Sequence, residues 1–206
     1  QKLGLHLVRV LPAVRMHRYP DLYRNPVHRF EIEEPHKDLV IDVSSIVETL
    51  ATPVSAIPTD VPLAAVRSEE VIESFQPYLL SDGPIRITPE IWRAAVDVEK
   101  DRGDLFSVII GLMDFIHGTC KYVPGATHIG THTEEFFAKP QGVCQDYAHL
   151  LLALCRSIGI PARYVCGYVY DAKRGEPRGA RKKGSLVSVL QRERGLISED
   201  LANQYV

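Results

Sequence analysis

The sequence predicts an α+β protein, on three observations. Leu3, Leu5 and Leu7, and later Leu39, Ile41, Val43 and Val47, follow the period of two expected of half-buried strands. From about residue 63 the apolar spacing becomes helical, and its densest run covers residues 142–159. Directly after that run, residues 162–170 are rich in β-formers.

The elements follow in order. Phe30 and Ile32 predict a further short strand between the two alternating segments. Tyr19-Pro20-Asp21 and Arg24-Asn25-Pro26 are turn chemistry. So small a sheet needs a neighbour to be stable. Residues 51–62, with Pro53, Pro58 and Pro62, read as a linker. A boundary there gives an N-terminal β-rich region, 1–62, and a core, 63–206. In the core, Thr88-Pro89-Glu90 supplies an N-cap, an N1 proline and an acidic first turn for a helix to about Lys100. Gly103-Asp104 opens a second helix, whose apolar face is Leu105, Val108, Ile109, Leu112, Phe115 and Ile116 and whose end is Gly118. Lys121-Tyr122-Val123 is a brief strand closed by Pro124-Gly125. Thr131 or Thr133 caps a short helix through Phe137, which Pro140 stops. The long helix is expected to pack through Tyr147, Leu151, Leu154 and Ile158, and Gly159 and Pro161 end it. Residues 171–184 read as a solvated basic loop.

Composition narrows the function classes. Of 206 residues, 45% are hydrophobic and 24% charged, which excludes disorder, collagen and coiled coil. A net charge of −2 gives no global basic footprint, so no nucleic-acid partner is expected. No apolar stretch approaches the roughly 18 residues of a membrane span, so no membrane association is expected either. Phosphate-binding glycine motifs are absent, and no cofactor is expected. The start, Gln1-Lys2-Leu3-Gly4, is not a signal peptide and has no initiator Met, and reads as a clipped N terminus. Four cysteines are too few for a disulfide scaffold, and a cytoplasmic location is the expectation.

Cys144 is the candidate for chemistry. It falls in the first turn of the predicted long helix, just after Gly142. A helix N terminus favours thiolate over thiol, and its unpaired N–H groups can hold an oxyanion. From the residues alone, a nucleophile and a packed structural cysteine both stay open. Cys120, Cys155 and Cys166 read as core residues.

The surrounding sequence bears on that choice. The run from Gly142-Val143-Cys144-Gln145-Asp146-Tyr147-Ala148-His149-Leu150 to Cys155-Arg156-Ser157-Ile158-Gly159-Ile160-Pro161-Ala162-Arg163-Tyr164-Val165-Cys166-Gly167-Tyr168 resembles the transglutaminase-like superfamily. It is most similar to that superfamily's bacterial cysteine-protease-like branch. Tyr122-Val123-Pro124-Gly125-Ala126-Thr127 resembles the same branch, and Asn25-Pro26-Val27-His28-Arg29-Phe30 and Pro35-His36-Lys37-Asp38-Leu39-Val40-Ile41 resemble its N-terminal β-region. The resemblance covers roughly residues 1–171. It implies a papain-like core, with a nucleophile helix on an antiparallel sheet. It also implies Cys144 as catalytic nucleophile, a His that moves the proton, an Asp that orients the His, and peptide or protein substrates. Water on the thioester gives hydrolysis and an amine gives cross-linking; the resemblance to the protease-like branch favours hydrolysis.

The chain departs from that pattern after residue 171. The family His belongs to a Ser-His-Ala-Trp type strand, yet residues 172–206 contain no His, no Trp and no Asp-Pro. Neither the His nor the Asp can be carried over, and Asp200 has no matching surroundings. The expectation is an incomplete or inactive form, with a fragment or frameshift after about residue 180 favoured over a natural pseudoenzyme. The alternative function is non-catalytic peptide binding. His149, five positions after Cys144, is rotated about 500° around the helix and points away. His128 and His132 are the remaining candidates for a substitute base. His117, Cys120, His128 and His132 have metal-ligand residue types but no standard structural zinc spacing, and no metal is expected.

Overall fold

A computed structural model describes residues 2–21, 25–48 and 59–168, and two further strands at 183–191 and 195–196. Most of the predicted linker and of the basic loop lies outside the described residues. The chain forms two compact units, Gln1–Ala51 and Thr52–Val206.

Among its described residues the first unit holds four strands: β1 (Lys2–Leu11), β2 (His17–Pro20), β3 (Pro26–Arg29) and β4 (Val40–Glu48). β1 and β4 pair antiparallel, with Leu5 opposite Ile46 and Leu7 opposite Ser44. β2 and β3 pair antiparallel, from His17 opposite Arg29 to Pro20 opposite Pro26. Two expectations are corrected here. Tyr19, Pro20 and Pro26 are strand residues rather than turn residues, and Phe30 and Ile32 lie beyond β3 without strand pairing. Both prolines stand at the closed end of a two-stranded ribbon, where a missing N–H is tolerated. The tie at that end comes from Asp21, whose carboxylate accepts from the Asn25 N–H at 2.7 Å and side-chain amide at 2.9 Å. The strands are also less buried than their alternation suggests. Leu5, Leu7 and Ile46 are 43%, 57% and 63% exposed, and Val10 is buried. A two-stranded sheet has no second layer of its own to cover that face.

The second unit is built on helices with legible starts. Two short helices, α1 (Leu63–Val66) and α2 (Glu69–Ser74), precede α3 (Pro89–Glu99) and α4 (Leu105–Thr119). Thr88 caps α3 and Asp104 caps α4, the latter accepting from the Ser107 N–H at 2.8 Å. α4 ends at Thr119, one residue beyond the expected Gly118. Next come β5 (Lys121–Tyr122), α5 (Thr133–Ala138), β6 (Gln141–Gly142) and α6 (Cys144–Ser157). The expected threonine cap of α5 is not formed, since His132 is its N-cap residue. The Thr133 hydroxyl is engaged elsewhere: it accepts from the Arg86 N–H at 2.7 Å and donates to the Arg86 carbonyl at 2.6 Å. That bond pair ties a loop 47 residues upstream to the start of α5.

α6 is the centre of the core. Leu150, Leu152, Ala153, Leu154 and Cys155 are 1% exposed or less, so the helix is buried on more than the single face expected. It packs on α3, α4 and α5 and on an antiparallel sheet of β7 (Ala162–Tyr168), β8 (Lys183–Gln191) and β9 (Gly195–Leu196). β7 runs opposite β8 in continuous register, from Ala162 facing Val189 to Tyr168 facing Lys183. Gly159, at φ +76°, supplies the left-handed turn that ends the helix. Arg156 fastens that end, donating to the carbonyls of Ala162 (2.9 Å) and Leu80 (2.6 Å) and to Asp82 (3.1 Å).

Leu154→Ala is expected to destabilise the protein by about 2–5 kcal/mol in urea unfolding, because a fully buried side chain leaves a cavity. Ile129→Ala, at a side chain 89% exposed, is expected to stay within roughly 0.5 kcal/mol of the parent.

Candidate functional site

Cys144 is the first residue of α6 and half-buried. Its position follows from the short segment before it. β6 pairs in parallel with β5, with Tyr122 opposite Gly142, and the Val123 N–H donates to the Gly142 carbonyl at 2.8 Å. Val143 is extended, and then the helix begins. Its ladder opens with the Asp146 and Tyr147 N–H groups, both donating to the Val143 carbonyl, at 2.9 and 3.2 Å. Among the described residues, no hydrogen bond takes the N–H of Cys144 or Gln145. These two amides therefore point out of the helix end beside the sulfur.

The turn is held by a residue that sequence reasoning missed. Asp146, 2% exposed, accepts from the Val143 N–H at 2.7 Å and from the Thr127 hydroxyl at 2.6 Å. The first bond is the acidic half of a capping box, and an acid three residues after the N-cap is the signal that could have found it. The second bond joins the loop after β5 to the start of α6. Gly142 is required for this approach, because a Cβ there would collide with the Asp146 carboxylate and the Phe136 ring.

One turn into the helix, Tyr147 sits among three other rings, with centroids at 6.2 Å (His117), 6.3 Å (Tyr122) and 5.8 Å (Phe136). Burial, followed by the nearby Cys120 and Tyr122, raises the Tyr147 hydroxyl pKa. Cys120 is also raised by burial, and burial pushes the Cys155 thiol up to about 12. Both are core cysteines, as expected; the Cys166 side chain lies outside the described residues.

The structure gives each candidate histidine other surroundings. His149 meets Tyr164 of β7 with ring centroids 5.3 Å apart, and burial lowers its pKa, favouring the neutral ring. The His128 Nδ1 accepts from the Gly130 N–H at 3.0 Å, which leaves the proton of a neutral ring on Nε2, away from the role of base. His132 places Nδ1 3.2 Å from a Glu135 carboxylate oxygen. No group of three or more His, Cys, Asp or Glu side chains that could hold a metal ion is found among the described residues.

Comparison with known proteins bears on the fold and ancestry of this arrangement. Residues 94–203 match the model of the transglutaminase-like superfamily, and residues 1–48 match the bacterial transglutaminase-like N-terminal region. The chain belongs to the transglutaminase-like superfamily. The superfamily match runs beyond residue 171, across the strands β8 and β9 that complete the sheet on β7. Similar proteins include an uncharacterized protein of Mycobacterium leprae, 29% identical over 84% of this chain and 61% of its own length. An uncharacterized protein of Mycobacterium tuberculosis is 31% identical over 72% of this chain and 49% of its own. A crystal structure of a candidate cysteine protease from Cytophaga hutchinsonii superposes with a TM-score of 0.62 and 17% identity, over 91% of this chain and 62% of that one, and shares the fold. The chain thus spans about half to three fifths of the length of these relatives.

Gly142→Ala is expected to lower stability by about 1–3 kcal/mol, read from the denaturation midpoint, because overpacking at the Asp146 turn has no slack. A second expectation concerns pH. The Cys155 pKa is raised from 9.0 to about 12, so the folded state holds its proton where the unfolded chain releases it. That contribution is complete below pH 9.0 and declines as pH rises toward 12. Cys155→Ala should flatten the alkaline loss of stability in urea titrations, and an unchanged slope would refute the assignment.

Proposed function

We propose that this chain is the scaffold of a cysteine-dependent amide-cleaving enzyme acting on peptides or proteins, with Cys144 as the nucleophile. The observation that carries the reading is the half-buried sulfur at the first residue of a 14-residue helix, beside two outward N–H groups. Attack of sulfur on an amide carbonyl would place negative charge on the carbonyl oxygen, where those donors can stabilise it. The thioester would then be resolved by water, giving hydrolysis rather than cross-linking.

The same reading makes the 206 residues inactive in turnover by themselves. The leaving amine needs a proton, and the attacking thiol must lose one. No histidine follows His149 in this sequence. Of the two histidines that could substitute, His128 accepts the Gly130 N–H at Nδ1 and His132 meets Glu135 through Nδ1, and no hydrogen bond of either to Cys144 is found among the described residues. Deleting one member of such a triad costs roughly four to six orders of magnitude in rate. What remains is peptide binding beside an accessible thiol, the second reading, and it rests on the same geometry.

Two measurements test this. With iodoacetamide near neutral pH, Cys144 is expected to be modified before Cys120 and Cys155, as mapped by peptide mass, because burial keeps the other two protonated and covered. Equal or slower labelling of Cys144 would remove it as nucleophile. In amide hydrolysis assays, the chain and its Cys144→Ala variant are expected to be indistinguishable. Cysteine-dependent turnover would mean that these residues do supply a working base, and would leave the nucleophile standing.

A further inference from the structure

Tyr122 is a large ring left 55% exposed in the second unit, where most large apolar side chains are covered. Its backbone is fixed beside the nucleophile turn. Tyr122 faces Gly142 across the parallel β5–β6 pair, and the next amide, Val123 N–H, is bonded to the Gly142 carbonyl. Two residues after Gly142 comes Cys144. The ring itself leans on Tyr147, at a centroid distance of 6.3 Å. Tyr147 lies three positions after Cys144, hence on the same helix face, and helical side chains tilt toward the N terminus, so Tyr147 leans toward the cysteine's own turn. Tyr147 also meets Phe136 and His117, at ring centroids of 5.8 and 6.2 Å.

From this juxtaposition we infer that Tyr122, seated on Tyr147, forms one wall of a subsite beside Cys144 that accepts an aromatic side chain of the peptide next to the amide under attack. An exposed ring on a fixed aromatic floor offers offset or edge-on contact to a second ring, a preference a flat polar surface lacks. The polar edge of this site, Thr127 and Asp146, is already satisfied internally, so the unspent contact area is aromatic. The inference rests on Cys144 being the reactive thiol and adds the side-chain class the site selects.

The test needs no turnover. The full chain is alkylated with iodoacetamide and with N-benzyl iodoacetamide, each rate being referred to glutathione and followed at Cys144 by peptide mass. The benzyl reagent is expected to be favoured roughly three- to tenfold, as an aromatic pair warrants. Tyr122→Ala should abolish that preference, read as the ratio of the two rates, and Tyr122→Phe should retain it. Labelling of Cys144 with no preference, or with a preference that survives in Tyr122→Ala and in Tyr122→Ser, would overturn the subsite alone. Failure of iodoacetamide to reach Cys144 in the folded chain would overturn the nucleophile and the subsite together.

Discussion

One buried carboxylate sets the geometry on which the site depends. Asp146 has two protein donors, the Val143 amide that the helix cannot bond itself and the hydroxyl of Thr127. A carboxylate so deeply covered is tolerable because those donors replace water. In return it fixes where α6 begins, and so where the Cys144 sulfur and its neighbouring amides stand. The absence of a side chain at Gly142 is part of the same constraint, since the β6 backbone passes against that carboxylate. Remove the tie, and the loop after β5 and the first turn of α6 lose their common anchor.

Much of the fold is legible in the sequence where the signals are local. Thr88, Asp104 and Gly159 act at the helix ends that their residue types announce. The differences have non-local causes. Tyr19-Pro20 and Asn25-Pro26 look like turns because proline is a turn residue, yet two prolines facing each other at a ribbon end suit a strand equally well. Thr133 looks like a cap, but its hydroxyl is claimed by a backbone 47 residues away, which no window of sequence discloses. The alternating leucines of β1 correctly announce a strand; they cannot announce how thin its sheet is.

The candidate site divides in the same way. Cys144 is readable from its place just after glycine at a helix start. Asp146 is half readable, as an acid in the first turn, but its bond to Thr127 spans 19 residues of chain. Tyr122 reads as part of a brief strand, and the parallel pairing of β5 with β6 brings its backbone beside the turn that precedes Cys144. Residues at a helix start leave local marks because the unpaired N–H groups there impose them. Residues brought to that turn from elsewhere, Tyr122 and Thr127, are assembled by topology, and their sequence neighbours say nothing of it.

Arg156 has a wider consequence. It clamps the far end of α6 to Leu80, Asp82 and Ala162, while Asp146 secures the near end. The helix that carries Cys144 is thus pinned at both ends by charged side chains, so its register against its neighbours does not depend on apolar packing alone. A displacement begun at either tip would have to break an ion-dipole tie before it could travel along the rod.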